Sequence, residues 1–199
     1  MRVRVLRCKI IGYLAAAALE STPFDLPLPG RLQAMHLTPV DDTEYADFAK
    51  RQVVEYANQL ARAGEVAESD SIAVARERCR ALLADELRAA GHLFFVARSA
   101  ILKPRIGWVW VSPAPAFLGP NRNSARWLSQ LTVEETVRGR GWGRALLNAT
   151  ERHLAQIGVE QLWLRVFDWN TTARALYVAQ GYELVERFAN DSHLRKRLS

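Results

Sequence analysis

The sequence predicts an α/β domain, and three observations carry that reading. Short apolar strand patterns alternate with amphipathic helical ones along the chain. A glycine-rich turn around Gly141 joins a strand to a helix, and a second strand-to-helix step follows at Asn170.

Each element follows from local pattern. Met35–Pro39 reads as a short strand. After Asp41, the residues Ala46, Phe48, Ala49, Val53, Val54, Tyr56, Ala57, Leu60 and Ala61 recur at helical spacing until Gly64 interrupts them. A second helix is expected over 71–87, with Ala73, Ala75, Leu82, Leu83 and Leu87 among its apolar residues and Gly91 closing it. Strands are expected at 92–97 and 106–111, joined through Lys103, Pro104 and Arg105. Residues 112–123, rich in Pro, Gly and Asn, read as a loop. Ala125–Val133 is a strand entering the glycine turn, and Leu146, Leu147, Thr150, Leu154 and Ile157 mark the helix leaving it. A strand at 162–167 then leads to Asn170, a suitable N-cap, and to a helix that stops near Gln180. Gly181 suits the C′ position there, and Tyr182 opens the terminal strands.

The chemistry concentrates in Val137-Arg138-Gly139-Arg140-Gly141-Trp142-Gly143-Arg144. A helix N-terminus presents unpaired N–H groups and a partial positive charge. Glycines let backbone approach a bound group closely, so the turn is an anion site in waiting. The arginines would disfavour the helix unless an anion offset them. A Walker loop is excluded because no Gly-Lys-Ser/Thr ending is present, and the glycine intervals differ from those of a dinucleotide fingerprint.

Arg138-x-x-Gly141-x-Gly143 resembles the Arg/Gln-x-x-Gly-x-Gly/Ala signature of the GNAT superfamily of N-acetyltransferases. Asn170, Ala173, Leu176, Tyr177, Gly181 and Tyr182 are similar to its second signature, Asn-x-x-Ala-x-x-Leu-Tyr-x-x-x-Gly-Phe/Tyr. The resemblance is specific over 127–198 and general over 35–124. It implies a three-layer α/β/α sandwich around a mixed central sheet, the acyl-CoA N-acyltransferase fold. It also implies transfer of an acetyl group from acetyl-CoA to an amine of a small molecule, protein or peptide. Backbone groups of Leu131 and Val133 would pair with the pantetheine arm. The loop residues Arg138, Gly139, Arg140, Gly141, Trp142, Gly143 and Arg144 would take the pyrophosphate, with Asn170 near the pantetheine. Tyr177 occupies the position that often serves as general acid, its other role being packing on the sheet. A phenol is neutral at pH 7 and can donate to a departing thiolate.

The general base is missing from the expected place. Relatives with this pattern often carry carboxylates on the strand before the glycine loop, yet 127–133 holds none until Glu134 and Glu135. Those two read as turn residues that are solvated or balance the arginines, leaving Ser129, Gln130 or an ordered water as a proton relay. Trp108, Trp110, Trp127 and Trp169 are weighed as pocket walls against core, and core is the commoner role for strand tryptophans.

Composition agrees with one globular domain: 199 residues, 49% hydrophobic and 24% charged. The net charge of +6 is scattered, with no lysine-rich or aromatic-interleaved patch of the kind nucleic acid selects. Cys8 and Cys79 are isolated, and His36, His92, His153 and His193 are dispersed, so neither a disulfide framework nor a metal site is expected. The resemblance leaves a homodimer open. The main rival to an enzyme is a non-catalytic acyl-CoA-binding sensor or interaction domain.

Residues 1–34 stand apart. Arg2, Arg4, Arg7 and Lys9 precede a short apolar run and an alanine cluster, as in a secretory signal. That run is too short to span a bilayer, and acetyl-CoA is intracellular, so a cytoplasmic protein is expected. Pro23, Pro27 and Pro29 then form a linker, which makes 1–34 an extension or an upstream start and 35–199 the acetyltransferase domain. A chain starting at Met35 is expected to stay soluble, with coenzyme affinity and melting temperature close to those of the full chain. A large loss of stability on truncation would show instead that the apolar run packs into the core.

Overall fold

The computed structural model describes residues 35–83, 91–99 and 105–199; residues 1–34, Leu87, Lys103 and Pro104 lie outside them. The strands are β1 (Met35–Pro39), β2 (Leu93–Ser99), β3 (Arg105–Pro113), β4 (Ala125–Val133), β5 (Gln161–Phe167), β6 (Glu183–Arg187) and β7 (Asp191–Arg197). The helices are α1 (Asp42–Arg62), α2 (Glu68–Leu83), α3 (Trp142–Gln156) and α4 (Thr171–Ala179). One mixed sheet runs in the order β1-β2-β3-β4-β5-β7-β6, antiparallel everywhere except between β4 and β5.

Strand alternation sorts the helices onto two faces. Phe94, Val96, Trp108 and Trp110 pack against Phe48 of α1. Their neighbours Phe95, Ala97, Val109 and Val111 belong to the main core with Leu146, Leu147 and Leu154 of α3 and Tyr177 of α4. Those three leucines are fully buried, each contributing roughly 1.5–3 kcal/mol relative to exposure. A smaller cluster of Ala57, Leu60 and Ala75 joins α1 to α2. The expected α/β/α sandwich is therefore present. No helix among the described residues is long and apolar enough to cross a membrane.

Local chemistry sets the helix ends. Asp41 caps α1 in a reciprocal capping box, its Oδ1 accepting from Glu44 N at 2.8 Å. α4 closes as a Schellman motif: Tyr182 N donates to Tyr177 O and Gly181 N to Val178 O, both at 3.0 Å. α2 begins at Glu68 rather than at Ser71, because its first turn is polar and leaves no apolar period to read. Glu68 and Asp70 suit that end electrostatically, and Ser71 Oγ donates to Glu68 O at 2.8 Å. The expected loop at 112–123 is partly ordered instead. β3 extends to Pro113, paired with Arg126, and 3-10 turns occupy Ala116–Ser124. Such turns have no apolar periodicity to betray them.

At Gly107 of β3 the sheet comes too close for any side chain: a Cβ there would lie 2.1 Å from the carbonyl oxygen of Thr132 on β4. Gly107→Ala is therefore expected to lower unfolding stability by about 1–3 kcal/mol through forced backbone displacement. Denaturant titration checks this, and an unchanged midpoint would contradict the close approach.

Candidate active site

β4 and β5 pair only from Ala125↔Gln161 to Leu128↔Leu164. Beyond that point β4 continues through 129–133 and β5 through 165–167 without pairing to each other. The gap opens into a cleft of about 270 Å³. Gln52, Tyr56 and Gln59 of α1 and Cys79 of α2 line it on one side of the sheet, and Asn170, Ala173 and Tyr177 on the other.

Backbone polarity in the gap follows from alternation. Glu134 N donates to Ile106 O of β3 at 2.8 Å, so the backbone groups of Val133, and of Leu131 two residues earlier, face the gap. Arg138 Nε donates to Val133 O at 2.9 Å, tying the glycine-rich turn to the end of β4.

The turn has the geometry expected of it. Gly139 and Gly141 have φ of 75° and 85°, a left-handed backbone that side chains disfavour. Gly141 is the N-cap of α3 and supplies no side-chain acceptor, and the first turn carries no acidic residue. Among the described residues, the leading N–H groups of α3 thus lack the side-chain partners that usually cap them. Arg138, Arg140 and Arg144 are exposed around this end. Trp142 differs, since its indole is buried in the core and only its backbone is left to serve the turn. A Cβ at Gly143 would stand 3.4 Å from Leu176 Cδ2, an ordinary contact, so protein packing alone does not require glycine there.

Asn170 is the N-cap of α4, its Oδ1 accepting from Ala173 N at 3.2 Å. Tyr177 is 8% exposed, and burial pushes its hydroxyl pKa up to about 12. It therefore remains a proton donor throughout the neutral range.

Trp110 and Trp127 line the cleft. Trp108 is buried beside Phe48 with the Arg105 guanidinium 3.9 Å from its ring centroid, and Trp169 stacks on Phe167. Glu134 and Glu135 balance arginines: Glu134 pairs with Arg105 at 2.8 Å and Arg51 at 3.4 Å, and Glu135 with Arg138 at 3.3 Å. His92 and His153 make packing contacts, His92 Nδ1 accepting from Trp110 Nε1 at 3.0 Å and His153 meeting Phe95 edge-on. Cys79 is a buried free thiol whose pKa burial raises.

Sequence reasoning missed a carboxylate. Glu55 of α1 reaches β4 from across the helix layer, its Oε2 accepting from Gln130 Nε2 at 2.6 Å and Thr132 Oγ1 at 3.2 Å. Burial raises its pKa, opposed by the Thr132 hydrogen bond and the nearby Arg138 charge. A signal for it exists: Gln52, Glu55, Tyr56 and Gln59 stand at i, i+3, i+4 and i+7, a polar stripe on a helix that packs on a sheet.

Known proteins share this fold. The uncharacterized N-acetyltransferase YycN of Bacillus subtilis is 25% identical over 147 residues, 74% of this chain and 91% of its own length. Its crystal structure superposes with a TM-score of 0.71 at 24% identity, covering 78% of this chain and 96% of that one. The PaiA N-acetyltransferase of Thermoplasma acidophilum, solved in complex with coenzyme A, gives 0.61 at 16% identity, covering 82% of this chain and 98% of that one. Spermidine N-acetyltransferase of Vibrio cholerae, solved with coenzyme A and spermine, gives 0.60 at 14% identity, covering 82% and 95%. Residues 55–182, which include α2, the glycine turn and α4, match the Acetyltransferase (GNAT) family, and the chain belongs to that family of N-acetyltransferases.

Proposed function

We propose that the chain binds acetyl-CoA in the gap between β4 and β5 and passes its acetyl group to an amine entering from the α1–α2 side. The observation that carries this reading is the continuity of the unpaired edge of β4 with the uncapped N-terminus of α3. Acetyl-CoA supplies the acetyl group as a thioester. Leu131 and Val133 offer backbone groups on the gap side of β4 for the pantetheine amides, as a further strand would use them. Arg138 exchanges its hold on Val133 O for the pyrophosphate. Gly139, Arg140, Gly141, Trp142, Gly143 and Arg144 contribute backbone N–H groups and charge at the helix end. Glycine at Gly143 suits this role, since ordinary packing leaves room for a side chain that a phosphate would not. Asn170 shapes the pantetheine wall while capping α4. As the amine nitrogen bonds to the acyl carbon and the C–S bond breaks, Tyr177 gives its proton to the departing thiolate, and the proton lost by the acylated nitrogen returns through solvent to the phenol. The acceptor amine must be neutral to attack.

Gly141→Asp is expected to weaken coenzyme A binding by more than about tenfold, or 1.4 kcal/mol, by placing bulk and negative charge at the phosphate position. Aspartate is among the residues that tolerate left-handed backbone, so the fold should survive. Equal calorimetric affinities in the wild type and the folded variant would overturn the phosphate assignment.

Tyr177→Phe is expected to lower kcat on the order of 100-fold, the usual scale of general acid catalysis, with coenzyme A affinity unchanged. An unchanged rate, measured where the chemical step is limiting, would make Tyr177 a packing residue.

A further inference from the structure

Gln52, Gln130 and Glu55 form a hydrogen-bonded chain whose polarity is set at one end. An ionised carboxylate can only accept, so the amide of Gln130 must turn its NH2 toward Glu55. The same nitrogen lies 2.6 Å from Thr132 Oγ1, which uses its own proton toward Glu55. Gln130 Oε1 therefore faces Gln52, whose Nε2 approaches it in a long contact of 3.5 Å. The oxygen of Gln52 is left over. Gln52 is only 6% exposed, lines the cleft, and has no donor for Oε1 among the described residues. A buried carbonyl oxygen without a donor carries its full desolvation cost. This buried, unpartnered oxygen therefore sits on a residue of the cleft wall.

The walls restrict what can reach it. Tyr56 and Trp127 supply partly exposed aromatic surface, Trp110 lines the cleft from the buried core, and no carboxylate is among the described lining residues. The cationic liner, Arg165, already bonds Asp191 at 2.5 Å and Glu65 beside it. A polycation would meet no carboxylate on the described cleft wall, since Asp191 and Glu65 are held behind it by Arg165. An amide oxygen also suits the reaction, because a carboxylate in its place would hold the amine as ammonium.

We propose that Gln52 Oε1 accepts the hydrogen bond of the acceptor amine's N–H, with Glu55 as a positioning residue acting through Gln130, and that the acceptor is a primary amine on an aromatic stem. This rests on the acetyl-transfer reading above. The test uses the full chain, calorimetry with coenzyme A, and free-thiol release from acetyl-CoA with tyramine and spermidine as probe amines. Tyramine is expected to exceed spermidine in kcat/KM by at least about tenfold, the scale of one good polar contact. Gln52→Met keeps the length and loses both polar atoms, and should raise the tyramine KM by about tenfold or more while coenzyme A affinity stays put. Gln52→Glu places a carboxylate against the amine, so its pH–kcat profile should move to higher pH as the ammonium is stabilised. Glu55→Gln, which frees the amide chain to reverse, should raise the tyramine KM but add little in the Gln52→Met background. Normal coenzyme A binding with no tyramine turnover, with spermidine preferred, or with unchanged tyramine KM in Gln52→Met overturns the proposal. Failure of the wild type to bind coenzyme A overturns the acetyl-transfer reading itself.

Discussion

The site depends on one departure from regular pairing, the separation of β4 from β5 after Leu128↔Leu164. A register shift in the β3–β4 ladder sits at the same level, where Trp110↔Gln130 gives way to Val111↔Leu128 and Ser129 is the extra residue. A bulge bends its strand and increases local twist, so it turns the end of β4 away from its parallel neighbour while β3 stays paired with it. Ser129 Oγ lies 2.8 Å from Ser112 Oγ, so the bulged residue is held by β3. Interior backbone groups left without a ladder need other partners. Arg138 satisfies one of them at Val133 O, and the cleft holds the rest of that edge.

Charge is arranged to keep the helix end receptive. Glu134 and Glu135 draw on Arg51, Arg105 and Arg138, but Arg140 and Arg144 form no ion pair among the described residues. Exposed pairs such as Arg138–Glu135 are worth little, about 0–1 kcal/mol, so the proposed transfer of Arg138 to a phosphate would cost little. The unpaired arginines and the uncapped N–H groups act at the same end of α3, where the dipole adds to both.

What could be read from the sequence was local. The bounds of β4, the Asn170 cap and the Gly181 stop on α4 are written in neighbouring residues, and each stands where pattern places it. The glycine turn is equally local, except that side-chain burial at Trp142 depends on how α3 docks and could not be read from spacing. The start of α2 and the turns at Ala116–Ser124 were missed because neither carries a period. The contact between Glu55 and Gln130 joins residues 75 positions apart and exists only because α1 lies across the sheet face that bears Gln130. Searching β4 alone for a carboxylate could not find one supplied by a helix.

The two faces of the sheet carry different halves of the proposed reaction, and the cleft is where they meet. Tyr177 belongs to the α3–α4 face and Gln52 to the α1–α2 face, and both line the same opening. Both present neutral groups: burial holds Tyr177 protonated, and Gln52 is an amide. A charged carboxylate in direct contact with the amine would favour ammonium, the form that cannot attack. Glu55 avoids that conflict by standing one amide behind the cleft, where its charge fixes the direction of Gln130 without meeting the amine. Its own burial raises its pKa, so the orientation it imposes weakens as pH falls and the carboxyl gains a proton it can donate. Acceptor binding would then lose its directionality on the acid side, while the neutral Tyr177 hydroxyl is untouched by the same change.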